Sequence, residues 1–246
     1  MATIAVYSLK GGVGKTTLAV NLAWSAATLS SRQTLLWDLD PQAASSFLVS
    51  DGKAQKDAAQ AVFTKDVAPQ KLITSTAIDR LDLLAADTSL RGLDQLFFSI
   101  GKRKRLAKLI ETLGKNYDRI ILDCPPGLTE TSEQAMRAAD LILVPVIPSP
   151  LSRRALDDVV AYLDREHGGH APILPVFSMV DRRRLLHKAA LLADPKWPVI
   201  PMASAVEQMA VRRQPVGEFA AKSPAGEAFA SLWTGVERKL NRIKAK

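Results

Sequence analysis

The sequence predicts an α/β fold, a mostly parallel, twisted sheet with helices on both faces. Three observations predict it. Short apolar runs recur along the chain, most of them separated by segments with helical spacing. The runs are continuous rather than alternating, as in strands covered on both sides. A glycine-rich loop, Lys10-Gly11-Gly12-Val13-Gly14-Lys15-Thr16-Thr17, lies between the first run and the first helical segment. The length of 246 residues allows one domain over 1–246 with a substantial core.

The elements follow in order. Strands are expected at 4–7, 34–37, 81–85, 119–122, 141–147, 173–179 and 199–200, each an apolar run. Helical spacing appears at 18–29, in Leu106, Leu109, Ile110 and Leu113, and in Leu156, Val159, Val160 and Leu163. Residues 50–80 are polar and predict a short helix and loops. Near the end, Phe229, Leu232, Trp233, Val236, Leu240 and Ile243 form a helical stripe with a basic opposite face. The stripe predicts a helix packed on the sheet; the competing expectation is an amphipathic helix lying on a membrane.

Bulk properties narrow the function classes. The formal net charge of +8 favours polyanions such as DNA, or an anionic membrane surface. Cys124 is the single cysteine, which excludes a disulfide scaffold or a cysteine-based metal cluster within one chain and fits a reducing cytoplasm. The apolar run Leu141-Ile142-Leu143-Val144 ends at Pro145, so no transmembrane segment is expected, and no signal peptide is evident.

The glycine loop carries the first chemistry. Its three glycines let successive N–H groups point into one hollow, at the positive end of the following helix. Such a hollow holds phosphates; Lys15 reaches the outer ones and the Thr16 hydroxyl binds Mg²⁺. The ordinary P-loop pattern has glycine five positions before Gly14. Here Leu9 stands there, followed by an additional cation, Lys10. A second site is Trp37-Asp38-Leu39-Asp40-Pro41-Gln42, where period-two geometry puts Asp38 and Asp40 on one side, able to hold Mg²⁺ through water and orient an attacking water. A third is Ile121-Leu122-Asp123-Cys124-Pro125-Pro126-Gly127, a buried strand ending in one carboxylate that bonds to the waters of Mg²⁺. Cys124 has no partner base and reads as a small buried residue. The Pro-Pro-Gly loop is stiff and suited to shift when a γ-phosphate leaves.

Together these three motifs resemble the ParA/MinD family of deviant Walker ATPases, and the likeness continues along nearly the whole chain. Val144-Pro145-Val146-Ile147-Pro148-Ser149-Pro150 resembles the family's strand and loop after Walker B. Ser178-Met179-Val180-Asp181-Arg182-Arg183 resembles its segment near the adenine, and Val199-Ile200-Pro201 begins a stretch like the end of a ParA. The resemblance implies a P-loop NTPase with ATP and Mg²⁺ as cofactors. It implies a nucleotide site of Lys10, Gly11, Gly12, Val13, Gly14, Lys15, Thr16, Thr17, Met179, Asp181 and Pro201. Thr16, Asp38, Asp40 and Asp123 form the metal site. Lys10 reaches across a two-fold interface to the partner subunit's phosphates, so that ATP closes a homodimer. Lys10, Lys15 and Asp40 are the catalytic set, with Asp40 positioning the lytic water.

The resemblance further implies a cytoplasmic, nucleoid-associated ATPase that binds non-specific DNA and is stimulated by a ParB-like or cargo adaptor protein, positioning a plasmid, a chromosome or a protein assembly. Arg183 matches one DNA-binding position of such relatives. The arginines that many relatives carry near Pro201-Met202-Ala203-Ser204-Ala205 are missing here. Arg182, Arg184, Arg212, Arg213 and Lys222 can substitute, because non-specific binding needs phosphate neutralisation rather than fixed geometry. Lys102-Arg103-Lys104-Arg105 is another basic candidate. Little chain precedes Ile4, so a helix-turn-helix operator reader is not expected. The alternatives are a MinD-like membrane switch, told apart by the C-terminal helix, and a metabolic enzyme on the same scaffold. The nitrogenase iron-protein branch needs two cysteines per subunit, and Cys124 is alone.

Overall fold

In the computed structural model the described residues are 1–52, 59–64, 67–100, 104–166 and 170–245. Their elements run β1 (Ala2–Val6), α1 (Lys15–Leu29), β2 (Thr34–Asp38), α2 (Ala44–Val49), α3 (Ala61–Thr64), β3 (Ile73–Ser75), β4 (Leu81–Leu84), α4 (Leu93–Ile100) and α5 (Arg105–Leu113). They continue with β5 (Arg119–Asp123), α6 (Glu130–Ala138), β6 (Leu141–Val146), α7 (Pro150–Glu166), β7 (Ile173–Val180), α8 (Leu185–Ala193), β8 (Val199–Pro201), α9 (Ser204–Arg212), α10 (Val216–Ala220) and α11 (Pro224–Lys244).

The apolar runs become the middle of the sheet. β1, β2, β5 and β6 are buried along their whole lengths, because helices cover both faces. Eight strands pair in the order β3-β4-β2-β5-β1-β6-β7-β8. All pairs are parallel except β3 with β4. The order reverses beside β1, so the crevice beyond its carboxyl end is the natural ligand site of an open parallel sheet. The glycine loop leaves β1 at that point.

Each face has its own core. α1 and α11 pack on one, joined by Leu48 and Val49 of α2 and Met209 of α9. α5, α6 and α7 cover the other, with Trp37, Phe63 and Phe97 at its centre. α1 is apolar almost all round because it lies between the sheet and the C-terminal helices.

Residues 50–80 hold more than the short helix and loops expected. Besides α3 there is a 3₁₀ turn at Pro69–Lys71 and the antiparallel edge strand β3. That strand is three residues long and half-exposed, too short to show a period. The C-terminal stripe packs as expected: Phe229, Leu232, Trp233, Val236 and Leu240 of α11 are buried in the core. Ser223 caps the helix by accepting the Gly226 N–H, Pro224 occupies its first turn, and Trp233 Nε1 donates to Ser30 Oγ at 2.8 Å. No described helix is long and apolar enough to cross a membrane.

Candidate nucleotide site

The loop after β1 is shaped by backbone that side chains resist. Gly12 and Gly14 have φ of 69° and 92°. A Cβ on Gly14 would stand 2.9 Å from Ser178 Oγ. Gly14 is also the N-cap of α1 and offers no side chain to its first N–H groups. Those amides face the hollow with the positive end of the helix dipole behind them, which is an anion site by construction. Val13 is buried and anchors the loop from beneath, while Gly11 and Gly12 are exposed at its lip.

The two lysines part company. Lys15 is 7% exposed; its Nζ donates to the Lys10 carbonyl at 3.3 Å. Burial pulls its pKa down, and the charges of Asp123 and Asp40 push it back up. Lys10 is half-exposed, and its ammonium has no hydrogen bond or ion pair among the described residues. One cation is turned into the hollow and one stands at its mouth.

The carboxylates sit where β2 and β5 end. Asp38 and Asp123 are register partners and both fully buried. Burial, then the charge of Asp123, pushes the Asp38 carboxyl up to about 8. Asp38 Oδ2 accepts the Ser46 N–H at 2.9 Å and the Ser46 hydroxyl at 2.8 Å; its Oδ1 accepts the Asp40 N–H at 3.1 Å. Asp38 therefore braces the segment that presents Asp40. Asp40 lies past the strand, half-exposed, with its Oδ1 accepting the Gln42 N–H at 2.9 Å.

Burial raises Asp123 to about 6, against the hydroxyls of Ser45 and Thr16 and the charge of Lys15, which favour its ionised form. The Ser45 hydroxyl donates to Oδ2. Oδ1 is buried with no hydrogen-bond partner, an uncommon state for a carboxylate oxygen. A Thr16 hydroxyl at the helix start, an unpartnered carboxylate oxygen and Asp40 nearby form a hard-oxygen set that fits Mg²⁺. That ion takes few protein ligands and keeps waters and phosphate oxygens for the rest. No group of three or more His, Cys, Asp or Glu able to hold a metal occurs among the described residues, so a metal cage built of protein alone is not offered there.

The loop after β5 is tied to the hollow. Gly127 N–H donates to the Leu9 carbonyl at 3.2 Å, and the Gly127 carbonyl accepts from Tyr7 Oη at 3.2 Å and Ser132 Oγ at 3.1 Å. Burial pushes the Cys124 thiol well above its ordinary range, which leaves it inert. On the far side, Met179 has a φ of 56°, and its Cε lies 3.9 Å from where a Gly14 Cβ would be. Val180 pairs with Pro201 across a shift in register between β7 and β8. Met179, Asp181 and Pro201 thus gather at the carboxyl ends of these strands, beside the glycine loop. The Asp181 carboxylate takes two bonds from Arg183 at 2.9 Å, and its N–H donates to His187 Nδ1 at 3.0 Å.

The basic residues sit on different elements. Arg182, Arg183 and Arg184 precede α8, which shares a cleft with α7 over one core. Arg212 and Arg213 end α9, packed in the other. Arg213 donates to the Phe47 and Ser50 carbonyls at 2.9 and 2.7 Å and closes the end of α2. Arg212 lies over the Phe219 ring. Lys222 is exposed. Arg105 departs from expectation: it is buried and donates to the Phe63 and Val62 carbonyls, so it holds α3 and cannot reach a polyanion. Lys102 and Arg103 lie outside the described residues. The sequence reading missed Ser45, Ser46 and His187, and gave Ser178, named within the adenine segment, no role of its own. The signal available for the first two was a pair of small hydroxyl residues directly after the aspartate segment.

A family model described as an AAA domain, AAA_31, matches residues 1–169. The chromosome partitioning protein ParA of Caulobacter vibrioides is 31% identical over 194 residues, covering 76% of this chain and 72% of that protein. The chain belongs to the ParA/MinD family of P-loop ATPases. Within this family, the sporulation initiation inhibitor protein Soj of Bacillus subtilis is 37% identical over 147 residues, and the match spans 58% of this chain and 57% of Soj. The septum site-determining protein MinD of Pyrococcus horikoshii OT3, solved as a complex with Mg-ADP, has the same fold: TM-score 0.81, 21% identity, 98% of each chain covered.

Proposed function

We propose that residues 1–246 act as a single ATPase domain that binds ATP with Mg²⁺, closes into a homodimer, rides on non-specific DNA and is released by partner-stimulated hydrolysis, positioning a plasmid, chromosome or protein assembly. The observation that carries this reading is Lys10: a cation at the mouth of a phosphate hollow, without a partner in its own chain, while Lys15 already serves that hollow from inside. A positive charge from each subunit offsets the repulsion between two nucleotides enclosed face to face. The Gly12–Thr17 amides and Lys15 hold the phosphates; Thr16 and Asp123 hold Mg²⁺, with Asp38 bracing Asp40. Mg²⁺ supplies neutralisation of charge on the transferring phosphoryl group. Asp40, half-exposed and steered by Gln42, orients the attacking water. Met179, Asp181 and Pro201 line the base.

DNA binding is assigned to Arg182, Arg183, Arg184, Arg212, Arg213 and Lys222. They lie on different elements, before α8, at the end of α9 and before α11, so each subunit offers several points of phosphate contact. The protein is then cytoplasmic and nucleoid-associated, with a ParB-like or cargo adaptor protein as partner. The membrane alternative finds no support in α11, whose apolar stripe is buried.

Asp40→Ala tests the reading. Hydrolysis should fall by about a hundredfold or more while ATP binding persists, so that an ATP-loaded dimer accumulates on DNA. Its DNA affinity should fall steeply with salt. Unchanged phosphate release, or an ATP-loaded dimer that ignores DNA at moderate salt, would contradict it.

A further inference from the structure

Helix α8 reads Leu-Leu-His-Lys-Ala-Ala-Leu-Leu-Ala and faces the wrong way for a surface helix. Its one fully buried residue is His187, while Leu185 and Leu192 are 80% and 81% exposed and Leu186 is 46% exposed. At 100° per residue, Leu185, Ala189 and Leu192 form one ridge toward solvent. A cleft lies on each side. One, of about 290 Å³, separates α8 from the start of α7 and is floored by Phe177 and Trp197. The other, of about 540 Å³, runs beneath Leu191 and Leu192 toward Val199. An apolar ridge between two clefts is the surface that meets another helix by ridge-and-groove packing.

The unpaired charges around it have one sign. Arg182, Arg184, Lys188 and Lys196 are exposed, and none has an ion pair among the described residues. The nearby acids are already engaged: Asp181 by Arg183 and Asp194 by Arg153. We propose that α8 is the docking site for an acidic amphipathic helix of a partner protein, its leucine-sized side chains entering the two clefts and its carboxylates meeting the four cations. A second copy of this chain would bring two sets of four cations together. DNA, to which Arg182 and Arg184 are also assigned, would neutralise those cations but leave the leucines unburied, so helix and DNA compete for the two arginines. A bilayer is flat and enters no cleft, and α8 is short beside most helices that lie on membranes.

The ridge is wired to the proposed base segment. His187 Nδ1 accepts the Asp181 N–H, and the Arg184 N–H donates to the Asp181 carbonyl. The inference deepens the proposed switch by naming its partner's chemistry. Coupling to hydrolysis rests on that reading, whereas docking is measured apart from it.

The probes are three labelled peptides: an acidic amphipathic helix with leucines at helical spacing and glutamates elsewhere, its lysine-for-glutamate inverse, and the acidic sequence broken by proline. Fluorescence anisotropy is read for the full chain with ATP and Mg²⁺, and for Leu185→Glu/Leu192→Glu and Arg184→Glu/Lys188→Glu. The intact acidic helix should bind, and each double variant should weaken it by about tenfold or more. Both leucines are exposed, so the variant keeps its circular-dichroism melt, and labelled-ATP binding on the same samples reports separately on the nucleotide site. The proposal is overturned if the acidic helix binds no better than the inverse or broken peptide. It is equally overturned if the variants bind like wild type, or if phosphatidylglycerol vesicles or self-association, rather than the peptide, depend on Leu185 and Leu192.

Discussion

Lys15 and Lys10 are five residues apart and see different worlds. Lys15 is buried, and its ammonium is opposed by Asp123 and Asp40. Because its ammonium bonds only a loop carbonyl among the described residues, removing the side chain leaves the fold intact and takes the cation from the hollow. Lys15→Ala should weaken ATP binding by about two orders of magnitude, the equivalent of about 2–3 kcal/mol of charge-assisted hydrogen bonding, measured by calorimetric titration. Wild-type affinity in a well-folded variant would remove Lys15 from the site. Residues of this kind were legible in the sequence because their chemistry is local: glycine where φ is positive, carboxylates where strands end. Ser45, Ser46 and His187 were less legible: Ser45 meets Asp123 from 78 positions away, and Ser46 and His187, although eight and six positions from Asp38 and Asp181, depend on how the chain turns between them.

Elements lock this site in place through close approaches. α1 carries Lys15 and Thr16, and its Trp24 ring lies against Gly217 of α10, where an added Cβ would come within 2.2 Å of the ring. Trp24 is further held by Glu218, and Asn21 of α1 accepts the Val216 N–H at 2.9 Å. Gly217→Ala should therefore cost about 1–3 kcal/mol by overpacking, read as a lowered denaturation midpoint. No loss would mean that α10 slides freely on α1. In α8, burial and Arg184 lower the pKa of His187 below its ordinary 6.5, with Asp181 opposing. The unfolded chain then takes up the proton first. The stabilisation stands in full above pH 6.5 and drains as pH falls through the folded value. Thermal melts should show wild type losing stability as pH falls below 6.5, and His187→Gln, which keeps an acceptor for the Asp181 N–H, losing less. Parallel slopes would contradict this. Helix α11 was readable from its stripe; β3 was not, because three half-exposed residues carry no period.

At the scale of the molecule, the parallel sheet was implicit in alternating strands and helices but its strand order was not, and the site lies where the order reverses, beside β1. The basic surface was not readable, because chain position does not tell which core a helix covers. Residues 182–184 and 212–213 lie on different elements, before α8 and at the end of α9. The formal net charge of +8 belongs to the whole chain and favours approach to polyanions under the proposed reading. What a single subunit lacks is a use for Lys10. The most direct measurement is the mass in solution of Asp40→Ala with ATP and Mg²⁺, by light scattering, with and without Lys10→Ala. The account predicts a dimer for Asp40→Ala with ATP, a monomer with ADP, and a monomer with ATP once Lys10 is also alanine. A dimer that survives the loss of Lys10, or a monomer under saturating ATP with Lys10 in place, would contradict it.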